Sequence, residues 1–374
     1  MDPPFIPTLS ADEKSLRDAT GTIDMGTYVT GLAARIWESW NANISHYSHH
    51  RPLEERRATQ TTEAIWRTIQ RYAGEEIDDA IAVRQRKPDA IARAARNNIR
   101  LADAYYDAYY DGRDEIQPIV LYYGSLNLAK ALSRVALGIG NVVGGHGVTV
   151  LKPELPIETA VLRLSTNGDF GLFVRALGAE PLPAEVDVSV FDLMRLIPEL
   201  DGTMRQLSGV GTNAIRVYPH PERTRYQGDT TVLLVVDVPD PNDSSWVQQL
   251  VALPALVKRK AGPNWHARQI SWRAPEGDGD ADYRALTISG LASERYFERR
   301  LPGDIHIPPT AAMFAVQFYL SHLCRYRADE WLRTIDEHPR EYSLVRDFMF
   351  LSESQLPNNI LNELAQREYV FSSR

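Results

Sequence analysis

Cysteine is almost missing from the chain: Cys324 is the only one in 374 residues. A single thiol excludes an intrachain disulfide and any zinc site built on several cysteines. Cys324 lies in the apolar run Phe318-Tyr-Leu-Ser-His-Leu-Cys324, where a buried, inert thiol is expected rather than a nucleophile. Long apolar runs are missing too, since none approaches the roughly 20 residues that span a bilayer. The start, Met1-Asp-Pro-Pro-Phe-Ile-Pro, has neither the basic residues nor the apolar stretch of a signal peptide. A cytoplasmic protein with no membrane association is therefore expected. Basic charge is in short supply: 41 Lys and Arg against 49 Asp and Glu give a net charge of −8. That balance disfavours broad attraction to nucleic acid or anionic lipid but leaves room for a local basic patch.

Several signatures of common chemistry are also lacking. There is no Gly-x-Ser-x-Gly elbow, no His-Glu-x-x-His pair and no Walker-type loop, so no catalytic triad can be assembled and no cofactor is expected. His46, His49 and His50 cluster in sequence, yet no Cys or carboxylate partners them at zinc-site spacing, and Pro52 marks the segment as a loop. No metal site is expected there. The glycine-rich stretch Gly138-Ile-Gly-Asn-Val-Val-Gly-Gly-His-Gly147 invites a dinucleotide-binding reading. That fingerprint needs a strand before it and a helix after it; here a helix leads in and a strand follows, and the reading fails.

What is present is the composition of a globular protein, 44% hydrophobic and 24% charged. The length exceeds what one core usually supports, so two domains, or one with a large insertion, are expected. Residues 1–24 read as an extended, Pro-rich arm and residues 25–147 as helical. Within the latter, Leu32, Ala33, Ile36, Trp37 and Trp40 recur at helical spacing; further helices run from about Glu54 to Gly74 and from Glu75 to Tyr110, with a break at Pro88. The most regular helix begins near Pro118, repeats Leu121, Gly124, Ser125, Leu128, Leu132, Val135 and Ala136 at threes and fours, and stops at Gly138-Ile-Gly140. Beyond Val148 the period shortens to two. Strands are expected at Thr159–Ser165, Gly171–Leu177, Val186–Phe191, Ala214–Tyr218, Thr230–Val238, Arg268–Trp272 and Tyr283–Ser289, with short helices at Asp192–Leu196 and Trp246–Lys258. Residues 148–307 thus form a strand-rich region. From Pro308-Pro309 the helical period returns through Met313, Val316, Gln317, Leu320, Leu323 and Cys324, and two more helices run to Ala365. The fold class is α+β: helical N- and C-terminal parts packed together around a mostly antiparallel, strand-rich middle, with residues 308–374 lying on the first helical region.

Three sets of residues are candidates for chemistry. His146 stands between Gly145 and Gly147, where the backbone allows close approach and the imidazole projects; a histidine moves protons near neutral pH. The bland alternative is a turn or cap residue. Arg93, Arg96 and Arg100 fall within roughly 60° on a helical wheel and offer a phosphate-contacting stripe, or simply a solvated face. Arg325-Tyr-Arg327, shortly before Trp331, combines forked cations with aromatics and suits a phosphate or a base; the same residues could be interhelical ties. The tandem Asp103-Ala-Tyr-Tyr and Asp107-Ala-Tyr-Tyr110 is too short for a solenoid, and its tyrosines are expected to pack between helices.

Four stretches carry a family resemblance. The helix Leu121-Tyr-Tyr-Gly-Ser-Leu-Asn-Leu-Ala-Lys-Ala-Leu132 with His146-Gly147 resembles the YaaC-like proteins, a bacterial family without a settled biochemical role. So do Asn167-Gly-Asp-Phe170 with Phe191-Asp-Leu-Met-Arg-Leu-Ile-Pro-Glu-Leu200, Phe318-Tyr-Leu-Ser-His-Leu-Cys-Arg-Tyr-Arg-Ala-Asp-Glu-Trp331, and Leu356-Pro-Asn-Asn-Ile-Leu-Asn-Glu-Leu364. The first helix and its histidine are also similar, more weakly, to the helical HEPN domains, many of which are ribonucleases in defence and toxin systems. That similarity implies an arginine four to six residues before the histidine. Here Asn141 stands five before His146 and Arg134 twelve before it; Asn141 hydrogen-bonds but supplies no positive charge to a developing oxyanion. Two readings follow. One is a binding or regulatory module with a protein or RNA partner, or a homodimer. The other is a ribonuclease with His146 as acid or base and Arg134, Asn141 or Arg325 on phosphate.

Overall fold

The apolar stripe between Pro118 and Gly138 forms a helix around which much of the core is arranged in the computed structural model. The structure describes residues 53–58, 61–82, 88–140, 145–153, 157–179, 182–212, 215–226, 229–237, 256–257, 269–273, 288–289, 295–297, 299–303 and 305–373. The expected arm at 1–24, the helix around Tyr28–Trp40, the histidines 46, 49 and 50, and Asn141 lie outside them. The chain divides into two compact units. The first takes in Ile215–Ser289 and Glu294–Phe297, and the second Glu54–Ala214 and Glu298–Arg374.

The second unit opens with strand β1 (Leu53–Ala58), followed by helices α1 (Thr61–Glu75), α2 (Ile77–Ala82), α3 (Pro88–Tyr110) and α4 (Gln117–Leu137). Pro118 sits in the first turn of α4, and Gly138 ends it in a left-handed conformation (φ 65°), donating its N–H to the Arg134 carbonyl at 2.9 Å. Strand β2 (Val148–Lys152), β3 (Val161–Ser165), helix α5 (Gly168–Ala176), β4 (Glu185–Ser189), α6 (Val190–Met194) and α7 (Asp201–Ser208) come next. Strands β2, β3 and β4 make an antiparallel sheet in that order. After the first unit's strands the chain returns as α8 (Pro309–Tyr326), α9 (Ala328–Glu337) and α10 (Pro339–Ala365), and β11 (Glu368–Ser373) pairs with β1. The first unit is a six-stranded sheet of β5 (Ile215–Tyr226), β6 (Asp229–Asp237), β7 (Leu256–Val257), β8 (Gln269–Arg273), β9 (Ile288–Ser289) and β10 (Arg295–Phe297), ordered β7-β8-β6-β5-β10-β9. Its neighbouring strands run antiparallel. The α+β class stands, with helices before and after the strands.

The second unit's core collects the apolar faces of its helices. Leu121, Tyr122, Leu128, Leu132 and Val135 of α4 are buried together with Met313, Phe314, Val316, Tyr319 and Leu320 of α8, and Tyr122 meets the rings of Phe314 and Phe318 at 5.5 and 5.4 Å. Gly124 is small because Tyr106 of α3 crosses there; a Cβ would stand 2.6 Å from its ring.

Three stretches depart from the sequence reading. Residues 171–177, expected as a strand, instead form the body of helix α5 as far as Ala176 and its C-cap at Leu177. Its apolar residues are β-rich in type, but Phe170, Phe173 and Val174 share one buried helical face. Glu54–Ala58, expected to begin a helix, form β1 instead, because pairing with β11 overrides a helix-favouring composition. The helix expected at Trp246–Lys258 is described only at Leu256–Val257, which is a strand paired with β8.

Candidate functional site

Three glycines place His146. Gly145 and Gly147 have positive φ, at 126° and 69°, and Gly168 has φ 84°. A Cβ on Gly147 would stand 2.4 Å from the Asn167 carbonyl oxygen, and one on Gly168 would stand 2.5 Å from that of Gly145. The loop therefore lies directly on the turn that starts α5, at an approach only glycine allows. Backbone bonds fasten it: Asp169 N–H donates to the Gly145 carbonyl at 2.9 Å, Phe170 N–H to that of His146 at 3.0 Å, and Ser165 N–H to that of Gly147 at 2.9 Å.

So held, the half-buried imidazole shares a 2.7 Å hydrogen bond between its Nδ1 and the Tyr122 hydroxyl, and its ring lies 5.4 Å from that of Phe318. In either tautomer, Nε2 is the nitrogen left for a ligand. Burial pushes the His146 pKa down; Asp169 opposes this, and Arg325 and Lys130 add to it. The neutral ring is favoured at pH 7.

Asp169, only 5% exposed, pairs with Lys130 Nζ at 3.5 Å, and its Oδ1 has no hydrogen-bond partner among the described residues. Burial raises its pKa from the usual aspartate value, against the pull of Lys130, His146 and Arg134. Arg325, on α8, donates from Nη1 to the Tyr123 hydroxyl at 3.1 Å and from Nε to the Ser321 carbonyl at 3.1 Å. Arg134 donates from Nε to Asn98 Oδ1 at 2.9 Å and through Nη1 to the Gly140 carbonyl; burial lowers its pKa. Asn98 in turn donates to Asn127, which donates to the Tyr123 carbonyl. The cluster thus gathers Lys130, Arg134 and Arg325 with a neutral imidazole, against one carboxylate whose charge is opposed by burial.

The candidates from the sequence separate in space. His146, Arg134 and Arg325 share this cluster; Asn141 lies outside the described residues. Arg327 closes a local ion pair with Glu330 at the start of α9. Arg96 is committed to the Ala73 carbonyl at 2.7 Å and to the Asp78 carboxylate, tying α3 to the helices before it. Arg93 and Arg100 are exposed on the same helix, and no described hydrogen bond or ion pair joins them to His146. Burial pushes the Cys324 thiol up to about 12, so it stays protonated.

Sequence reasoning missed Lys130, Asp169, Tyr122 and Tyr123 as site residues. A signal existed for two of them: Tyr123, Asn127, Lys130 and Arg134 recur at four, three and four residues and form the half-exposed stripe of α4. Among the described residues no group of three or more His, Cys, Asp or Glu could hold a metal ion, and no helix is long and apolar enough to cross a membrane.

No curated protein and no solved structure matches the chain. A family model described as YaaC-like Protein matches residues 53–364, and the helix, loop, turn and α8 segments that build the His146 cluster all fall within that span. The chain belongs to the YaaC-like family.

Proposed function

We propose that this protein is a cytoplasmic binding or regulatory module that takes a phosphate-bearing partner at the His146 cluster, with RNA the macromolecule of that chemistry. The observation that carries the reading is that Lys130 and Arg325, from two helices, both act electrostatically on a glycine-held imidazole, with Arg134 acting on the adjoining Asp169. Guanidinium groups match phosphate oxygens in geometry as well as charge, and a net charge of −8 disfavours broad, non-specific attraction. Binding of a fluorescent oligoribonucleotide across a salt series tests it. Arg325→Ala should weaken binding and reduce the salt slope by about one for each phosphate it no longer neutralises. Binding that ignores salt, or an unchanged slope in Arg325→Ala, would overturn the assignment.

A second reading, cleavage of RNA, is favoured by one detail. The Tyr122 hydroxyl fixes the imidazole through Nδ1, and its lowered pKa keeps the ring available as a base. On that reading His146→Ala lowers cleavage by about a hundredfold or more with binding little changed, measured on gels with metal present and absent. Cleavage that survives His146→Ala undiminished removes His146 from the chemistry.

A further inference from the structure

An aromatic line leads away from the cluster along α8. Phe318, His322 and Tyr326 recur at four-residue spacing and so share one face. Ring centroids are 5.4 Å apart from His146 to Phe318, 6.4 Å from Phe318 to His322 and 4.9 Å from His322 to Tyr326. The line runs outward: Phe318 is buried, His322 is half-buried and Tyr326 is 65% exposed. Burial lowers the His322 pKa, with Arg325 and Arg327 adding to it, so its ring is held neutral. The Arg325 guanidinium lies 5.1 Å from the Tyr326 ring and 5.7 Å from that of Tyr123. One cation therefore belongs both to the cluster and to the outer end of the line.

A single exposed tyrosine is ordinary. This one continues a row of uncharged π-faces from a cationic cluster into solvent and has a guanidinium beside it, the combination with which proteins hold unpaired bases. The geometry points to a base-stacking subsite on His322 and Tyr326, so that the partner is a single strand of nucleic acid. This rests on the phosphate-binding reading above. Arg325, with Lys130 acting on the same imidazole, takes a phosphate, and the adjoining base lies on the Tyr326 ring. A duplex keeps its bases stacked on one another and offers no free face to the tyrosine. Charge complementarity also argues for a polyanion here, because the aromatic rings are bordered by cations.

The test measures binding of the full chain to three labelled probes by fluorescence anisotropy: single-stranded oligoadenylate, an abasic strand of the same length, and a duplex. Oligoadenylate is expected to bind roughly five- to a hundredfold more tightly than the abasic strand. Tyr326→Ala should abolish that advantage and leave abasic binding unchanged, while Tyr326→Phe retains it. Equal binding of oligoadenylate and abasic strand by the parent, an equal loss on both probes in Tyr326→Ala, or preference for the duplex overturns the subsite and leaves the phosphate reading in place. Absence of binding to any probe overturns both. Light scattering covers the remaining occupant: a dimer that Tyr326→Ala converts to monomer would assign this face to a second copy of the chain and overturn the proposal.

Discussion

Replacing Gly147 by alanine asks how rigidly the fold holds His146, and the structure separates the two penalties involved. With φ at 69°, an L-residue in the left-handed region costs about 1–2 kcal/mol. The new Cβ would also stand 2.4 Å from the Asn167 carbonyl oxygen and 3.1 Å from Phe170 Cβ. The first of these is backbone and has no rotamer to yield, so the loop must part from the α5 turn. Parting loosens the bonds that Ser165, Asp169 and Phe170 make to it, and losing one or two at about 0.5–1.5 kcal/mol each brings the total to about 2–5 kcal/mol. Gly178 isolates the first penalty: its φ is 74° and nothing lies within 4 Å of a Cβ, so Gly178→Ala should cost about 1–2 kcal/mol. Gly202 has neither problem, and alanine there should be neutral or stabilise by up to about 1 kcal/mol. Urea unfolding followed by far-ultraviolet circular dichroism, with a common m-value, gives the ranking. A Gly147→Ala protein as stable as Gly178→Ala would mean that the loop shifts freely, and that the glycine packing does not fix the imidazole.

Two further outcomes follow from buried groups. Leu128→Asp places a carboxylate in the fully buried stripe of α4 and should cost several kcal/mol, roughly what an unpaired buried charge demands; an unchanged melting temperature would show that face to be misread. Glu353 of α10 is buried, accepts a hydrogen bond from the Thr62 hydroxyl at 3.4 Å, and has its pKa raised by burial against hydrogen bonds from Tyr110 and Thr62. A raised folded pKa stabilises the fold at low pH and loses that stabilisation as pH rises through it. Relative to the parent, Glu353→Gln should therefore gain stability as pH rises from the ordinary glutamate range towards the raised pKa of the buried group, read from urea midpoints; a difference that is flat with pH would contradict the burial.

Periodicity made α4 and α8 legible, because a stripe at threes and fours bounded by proline and glycine has few other foldings. It failed where two patterns overlap. Leu172, Phe173 and Val174 are strand formers by type, and only the face they share with Phe170 marks a helix. At β1 the deciding partner is β11, at the far end of the described chain, which no local window contains. His146 stood out because glycines flank it. Asp169 did not, since an acidic residue after Asn-Gly looks like any turn until tertiary packing sets it beside Lys130. The three arginines of α3 share a wheel position, yet Arg96 is spoken for by Asp78, and a helical wheel is blind to partners on other elements.

The pairing of β1 with β11 has a consequence for the order in which the protein is made. Thr62, just after β1, already reaches a residue 291 positions away, and β11 lies beyond that. On a ribosome the first helices emerge long before the last elements that cover them, so the part of α1 that packs on α10 and β11 stays uncovered until these arrive. Closure of this unit is a late event in synthesis, and a nascent chain stalled in the strand-rich stretch presents unfinished surface to chaperones.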